Sequence, residues 1–101
     1  MEDLTKHYLI SGRVQGVGFR RFTELSAVRL NLRGWVRNLD DGRVEAIASG
    51  TAEALKKFED QIKIGPAHGL VESVVISSIQ PVKDLDGFQM RKDSAQPWPE
   101  K

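Results

Sequence analysis

Cysteine is absent from this sequence, and several kinds of site are excluded with it. A chain without cysteine forms no disulfide, offers no thiolate nucleophile and builds no cysteine-ligated zinc site. Apolar runs of the roughly 18 residues that a membrane-spanning helix needs are also absent. The first residues, Met1 to Lys6, lack the charged-then-apolar pattern of a signal peptide. We therefore predict a cytoplasmic protein with no membrane partner.

Neither sign of charge dominates the sequence. The net charge is +1, although 29% of the residues are charged. Proteins that bind nucleic acids usually carry a large basic field, so this balance argues against a nucleic-acid partner. Histidine is rare. His7 and His68 lie far apart, and neither has a carboxylate or a second histidine at the spacing of metal ligands. We predict no metal site.

The length of 101 residues suits one domain with a hydrophobic core. We place this domain at residues 1–92 and expect a monomer. Residues 93–101 contain two prolines and little apolar content apart from Trp98, so we expect a flexible C-terminal tail.

Hydrophobic periodicity predicts five strands and two helices. In chain order these are a strand over 6–14, a helix over 19–31, strands over 33–39 and 43–49, a helix over about 51–64, a strand over 70–80 and a short strand over 88–91. Asp41-Gly42 is a good turn signal between the second and third strands, and Thr51 is typical of a helix N-cap. The apolar residues of the fourth strand do not keep one parity, so we expect a β-bulge there.

This order of elements predicts an α+β protein, a ferredoxin-like α/β sandwich with the topology βαββαβ. We expect an antiparallel sheet with both helices on one face and the last short strand as an extra edge strand. Small residues such as Ala46 and Ala48 leave room for a helix on that face.

Leu25 and Val28 widen the apolar stripe of the first helix. We expect them to be buried at its flank, with a modest exposed contact patch as the alternative.

The most informative stretch is a glycine-broken loop between the first strand and the first helix, Gly12-Arg13-Val14-Gln15-Gly16-Val17-Gly18-Phe19-Arg20. Glycine adopts positive φ at little cost, so Gly16 and Gly18 let successive backbone N–H groups point into one concavity. The following helix would direct its unpaired N–H groups and the positive end of its dipole at the same place. Arg20 would add a forked positive charge. The loop therefore suits a phosphate, although tight turns also use glycine for structural reasons alone.

Other motifs are excluded by the residues that they would need. A dinucleotide-binding fingerprint fails because Arg21 stands at the position of its third glycine, and a Walker loop fails because no Gly-Lys-Ser or Gly-Lys-Thr follows. The serines that we considered as nucleophiles, such as Ser11 and Ser77, lie within predicted strands rather than at a nucleophile elbow. Asp40 and Asp41 occupy a hairpin turn, where aspartate is favoured for backbone reasons, so we assign them a structural role.

Asn38 lies at the end of the second strand, at the inward-facing parity. Asparagine is disfavoured within strands. The residues alone support two interpretations equally. Asn38 caps the turn, or its polar side chain takes part in a functional site.

The glycine loop and the second strand together resemble the acylphosphatase family. The loop from Gly12 to Arg20 is followed by Gly34-Trp35-Val36-Arg37-Asn38, and then by Asp41-Gly42 and Val44-Glu45. The likeness extends from about Tyr8 to Arg91 and includes Phe58, Gly65-Pro66 and the closing Phe88-Gln89-Met90-Arg91. It departs mildly at Asn31 and Gly69, where many members have glycine and alanine, and neither departure affects the chemistry.

The resemblance implies a metal-independent hydrolase without a cofactor, acting on a small-molecule acyl phosphate. It implies that Arg20 binds the phosphate and that Asn38 orients the attacking water. The phosphate-binding loop that it implies consists of Gln15, Gly16, Val17, Gly18, Phe19 and Arg20. Inorganic phosphate and sulfate are expected to compete for this loop.

The alternative is a non-catalytic ferredoxin-like binding module, either for RNA or as an accessory domain of a larger enzyme. RNA binding requires exposed aromatic side chains on the sheet, and Trp35 is the clear candidate. The length of the chain favours a free-standing enzyme over an accessory domain.

Overall fold

The computed structural model describes residues 3–99, so the ends of the predicted domain and tail, residues 1–2 and 100–101, lie outside the described residues. Residues 3–99 form five strands and two helices in the predicted order. The elements are β1 (Leu4–Arg13), α1 (Phe19–Arg29), β2 (Arg33–Asn38), β3 (Val44–Gly50), α2 (Ala52–Ile64), β4 (Leu70–Ile79) and β5 (Phe88–Met90). Neither helix in this range has the length and apolar content that a membrane crossing requires.

The sheet has the strand order β4-β1-β3-β2-β5. β1 pairs antiparallel with β3 and β4, and β2 pairs antiparallel with β3, which confirms the ferredoxin-like α+β fold. β5 is the extra edge strand, but it pairs parallel with β2, so the sheet is mixed rather than wholly antiparallel. The reason is the connection from β4, which leads to the opposite edge of the sheet and gives β5 the direction of β2. The predicted bulge is present, because the β1–β4 register skips Glu72 between Ser73 and Val71.

The core lies between the helices and one face of the sheet. Its strand residues include Tyr8, Ile10, Val36, Ala46 and Ala48, and its helix residues include Phe19, Ala27, Leu55, Phe58 and Ile62. The small alanines of β3 therefore face the helices, as predicted.

The apolar flank of α1 differs from the prediction. Leu25 is 38% exposed and Val28 is 55% exposed, so the expectation that they are buried was wrong. The residues of α1 that are buried are Phe19, Thr23, Ser26 and Ala27, and this narrower stripe fills the space over the sheet.

The helix ends follow the signals in the sequence. Thr51 caps α2 by accepting a hydrogen bond from the Ala54 N–H at 3.1 Å. Asn31 has the left-handed conformation, with φ of 57°, just after α1. These caps determine where α1 ends and where α2 begins.

The division into a domain over residues 1–92 and a flexible tail over 93–101 stays a prediction. In the structure, the described part of that tail lies against the sheet. Ser94 forms a parallel bridge with Leu39, and the Trp98 N–H donates to Glu45.

Candidate active site

The loop between β1 and α1 has the backbone conformation that an anion cradle requires. Gly16 has φ of 74° and Gly18 has φ of 79°, both in the left-handed region that favours glycine. A Cβ atom built at either position would have no heavy atom within 4 Å. The space beside both glycines is therefore open, and conformation rather than crowding explains why glycine is suited to these two positions.

The N-terminus of α1 follows directly from this loop. Gly18 is the N-cap, and no side chain of the described residues makes a capping hydrogen bond there. The first turn also lacks an acidic residue. The free N–H groups and the positive end of the helix dipole are thus left without an internal anionic partner.

Two residues of the predicted phosphate-binding loop have side chains that point elsewhere. The Gln15 Nε2 group donates to the carbonyl oxygens of Leu39 at 2.7 Å and Arg43 at 2.9 Å. Val17 packs against the hydrophobic core. Gln15 therefore ties the loop to the β2–β3 hairpin, a role that the sequence did not indicate because the partners lie in a distant hairpin.

Asn38 is the last residue of β2, next to the hairpin turn, and it is only 9% exposed. Its Oδ1 atom is buried and has no hydrogen-bond partner within residues 3–99. Buried polar atoms are usually paired, so an unpaired one requires an explanation. The unpaired oxygen favours the interpretation of Asn38 as part of a site over the turn-capping interpretation.

A cleft of about 220 Å³ brings the predicted residues together. It is lined by Val14, Gly16, Gly18, Phe19, Arg20, Arg21, Asn38 and Met90. The loop and the strand end, which are separate in sequence, therefore share one cavity. Val14, Arg21 and Met90 were not among the predicted site residues, although Val14 belongs to the glycine-broken loop. Arg21 merely follows the motif, and Met90 reaches the cleft only because β5 pairs with β2.

The electrostatics of the cleft favour an anion. Arg20 and Arg21 are its charged lining residues, and the described lining contains neither a carboxylate nor a histidine. Arg20 Nη1 lies 3.4 Å from Asp93 Oδ1, and Arg21 Nη1 lies 2.9 Å from Glu24 Oε1, and all four side chains are partly exposed. Such exposed pairs are weak, so an anionic ligand would compete with them readily.

The aspartates of the hairpin have a structural setting. Asp41 Oδ2 accepts from Arg43 Nε at 2.9 Å, and Asp41 Oδ1 accepts from the Arg43 N–H at 3.1 Å. These hydrogen bonds hold the pKa of the Asp41 carboxyl below its usual range. Within residues 3–99 no group of three or more metal-ligating side chains is close enough to hold an ion.

The fold and the cleft define a class: a ferredoxin-like α+β protein in which the first loop and the end of β2 line one cleft that contains two arginines. The profile of the family described as Acylphosphatase matches residues 6–90. The chain belongs to the acylphosphatase family.

Similar proteins agree with this assignment. The chain is 44% identical over 92 residues to an acylphosphatase from Pseudomonas aeruginosa, covering 91% of this chain and 100% of the relative. It is 46% identical over 86 residues to an acylphosphatase from Koribacter versatilis, covering 85% and 78% of the two chains. The crystal structure of acylphosphatase from Bacillus subtilis superposes with a TM-score of 0.84 at 36% identity, covering 87% of this chain and 98% of the other.

The family membership confirms the sequence resemblance and the assignment to acylphosphatase, a hydrolase whose substrate is a small-molecule acyl phosphate. The alternative of a binding module has no support from these relatives. Trp35, the aromatic residue that RNA binding would need, is 1% exposed. The guanidinium groups of Arg37 and Arg91 lie 4.7 Å and 4.9 Å from the centre of its ring.

Proposed function

We propose that this chain hydrolyses acyl phosphates with two groups at opposite sides of the cleft. The backbone N–H groups of the Gln15–Arg20 loop and the Arg20 guanidinium hold the phosphoryl group, and Asn38 holds the attacking water. The observation that carries this proposal is that Asn38 lines the same cleft as Gly16, Gly18 and Arg20, while its buried Oδ1 has no hydrogen-bond partner among the described residues.

The reaction needs little from the protein beyond positioning and charge. Phosphoryl transfer passes through a loose transition state whose charge is spread over the equatorial oxygens, and N–H donors with an arginine stabilise that charge. The water oxygen forms a bond to phosphorus while the bond between phosphorus and the acyl oxygen breaks. The bonding electrons leave with the acyl group, which departs as a carboxylate. A carboxylate is stable without a proton at neutral pH because carboxyl groups have pKa values of about 4.

The described lining of the cleft contains no histidine or carboxylate that could take the proton of the water. We therefore propose that a phosphate oxygen of the substrate, or bulk solvent, accepts it. The Asn38 amide both accepts and donates hydrogen bonds, so it is able to orient the water for in-line attack.

Four further properties belong to this proposal. Inorganic phosphate and sulfate compete with the substrate, because the loop contacts only the phosphoryl end. The enzyme is a monomer that acts in the cytoplasm, as the sequence predicts. It works without a metal ion.

The test is a benzoyl phosphate hydrolysis assay with a chelator present. We expect Asn38→Ala to lower kcat by about 10²-fold or more, as the loss of a transition-state donor does, while the Ki of inorganic phosphate is retained. Arg20→Ala should abolish both turnover and inhibition by phosphate. Arg29→Ala, at the far end of α1, is the matched control and should behave as the wild type.

Near-normal turnover by the Asn38→Ala variant would contradict the proposed role of Asn38. A chelator that stops the wild-type reaction would contradict the metal-independent mechanism.

A further inference from the structure

A buried charged cluster lies on the face of the sheet opposite the helices, and the proposed reaction does not use it. Glu45 on β3 is fully buried. Its Oε2 accepts from His7 Nε2 at 2.6 Å and from the Trp98 N–H at 2.7 Å, and its Oε1 accepts from Arg37 Nε at 2.8 Å. The carboxylate thus joins β1, β2 and the C-terminal residues at one point.

The chain that leads to this cluster follows the edge of β2. We call residues 93–98 the C-terminal strap. The Arg91 N–H donates to the Val36 carbonyl at 2.8 Å, just before the strap, and the Ser94 N–H donates to the Asn38 carbonyl at 3.0 Å. The Asp40 N–H in turn donates to the Ser94 carbonyl at 2.9 Å. The strap therefore continues the parallel pairing of β5 past the end of β2.

The far end of the strap is held on the face of the sheet that lies opposite the helices. Arg37 Nη2 lies 3.4 Å from the Gln96 carbonyl oxygen, and the rings of Trp98 and His7 are 6.1 Å apart. Pro97 and Pro99 flank Trp98 and restrict the backbone before it docks, which reduces the entropy lost on docking. Trp98 and Glu45 together form the anchor of the strap.

The direction of the Asn38 side chain depends on its backbone. Its Oδ1 has no hydrogen-bond partner in the described part of the chain, so no such bond holds that oxygen in place. The position of the strand end, together with the packing around this nearly buried side chain, then determines where the amide points. The strap contributes the Ser94 N–H that pairs with this strand end on its outer edge.

We infer that the C-terminal strap is a positioning element for hydrolysis: anchored by Glu45 through Trp98, it holds the Asn38 main chain through the Ser94 N–H. This inference rests on the proposed role of Asn38. Ser94 and Trp98 are positioning residues, because they act through Asn38 and line no part of the cleft.

The experiment compares full-length variants in the benzoyl phosphate assay. Ser94→Pro removes the N–H that donates to Asn38. Ser94→Ala is the matched control, because it keeps this N–H and loses only the hydroxyl, which bonds to the main chain of Gln96 at 2.8 Å and 3.3 Å. Small displacements of a positioned group cost up to about 10²-fold, so we expect Ser94→Pro to lower kcat by about 10-fold to 100-fold with the phosphate Ki within about 3-fold of wild type. Ser94→Ala should retain the wild-type kcat.

Trp98→Ala tests the anchor at a distance from the site and should also lower kcat, and Trp98→Phe should recover much of the loss. Each variant is repeated in the Asn38→Ala background. A strap that acts through Asn38 causes no further loss there, whereas a general structural defect adds its full cost in both backgrounds.

Circular dichroism identifies any variant that fails to fold. If Ser94→Pro does not fold, the comparison of Trp98→Ala with Trp98→Phe tests the inference instead. Losses that add fully in the Asn38→Ala background overturn the inference. Wild-type kcat in both Ser94→Pro and Trp98→Ala overturns it as well, and the proposed function stands if Asn38→Ala alone still lowers kcat by about 10²-fold. Near-normal turnover by Asn38→Ala overturns the proposed function first.

Discussion

Gly16 combines an unusual backbone conformation with a place in the lining of the cleft. Its φ of 74° would strain any side chain, and no heavy atom lies within 4 Å of a Cβ built on it. Gly42, in the β2–β3 hairpin, has φ of 100° and equally open surroundings, but it does not line the cleft. The two glycines therefore share a positive φ and differ in their position relative to the cleft.

We expect Gly16→Ala and Gly42→Ala to lower the free energy of unfolding by similar amounts, about 1–2 kcal/mol, the cost of the left-handed conformation in a residue with a side chain. Only Gly16→Ala should also weaken phosphate inhibition and lower kcat/KM, since its methyl group occupies the cradle. Denaturant unfolding and the benzoyl phosphate assay check the two effects. Equal activity of the two variants would contradict the placement of the phosphate.

The side chain of Gln15 connects the loop to another part of the protein. The residue belongs to the motif that indicates a phosphate loop, yet its amide donates to two carbonyl oxygens of the hairpin. These hydrogen bonds connect the loop to the hairpin that follows β2. The side chain of Gln15 therefore links the two parts of the chain that line the cleft, although Gln15 is not itself a lining residue.

At the scale of elements, the two helices differ at their N-termini. Thr51 caps α2, and Glu53 adds a negative charge to its first turn. α1 begins at a glycine without a side-chain cap or an acidic residue in its first turn. The helix with the stabilising cap is the one whose N-terminus lies away from the cleft, and the uncapped N-terminus faces it.

Thr51→Ala should lower the free energy of unfolding by about 1 kcal/mol, the usual cost of a lost N-cap. Thr51→Ser keeps a hydroxyl that accepts from Ala54 and should be close to wild type. Neither change should alter kcat or KM, because Thr51 lies outside the cleft. A fall in kcat for Thr51→Ala alone would show that α2 takes part in positioning the site.

At the scale of the whole molecule, Glu45 connects segments that are distant in sequence. Burial by itself would raise the pKa of its carboxyl group. The hydrogen bonds from His7, the Trp98 N–H and Arg37 outweigh burial and hold the pKa below the ordinary value of 4.5. The folded state therefore binds a proton at Glu45 less readily than the unfolded state does.

This difference makes stability depend on pH on the acid side. A carboxyl group with a lowered pKa stabilises the fold above its unfolded pKa, and that contribution is lost as the pH falls from about 4.5 through the lower folded pKa. We expect the free energy of unfolding to fall over this range in the wild type and to fall less in Glu45→Gln. The variant should also be less stable at neutral pH, by on the order of 3 kcal/mol, because the buried Arg37 guanidinium loses the carboxylate that accepts from its Nε.

Denaturant unfolding at a series of pH values measures this effect. Glu53→Gln is the matched control, since the Glu53 side chain is 81% exposed and pairs only with Lys57 among the described residues. An acid dependence in Glu45→Gln equal to that of the wild type would contradict the assigned role of Glu45.

The sequence by itself determined the order of the elements, the turn at Asp41-Gly42, the cap at Thr51 and the family. These features depend on local periodicity, on residue conformational preferences and on short motifs, each of which is contiguous in the sequence. Only the tertiary structure decided that Arg20 and Asn38 share a cleft, that β5 runs parallel to β2 and that Leu25 and Val28 remain exposed. It also decided that Glu45 is buried beneath the C-terminal strap, because pairing between segments distant in the chain leaves no periodic signal in either segment.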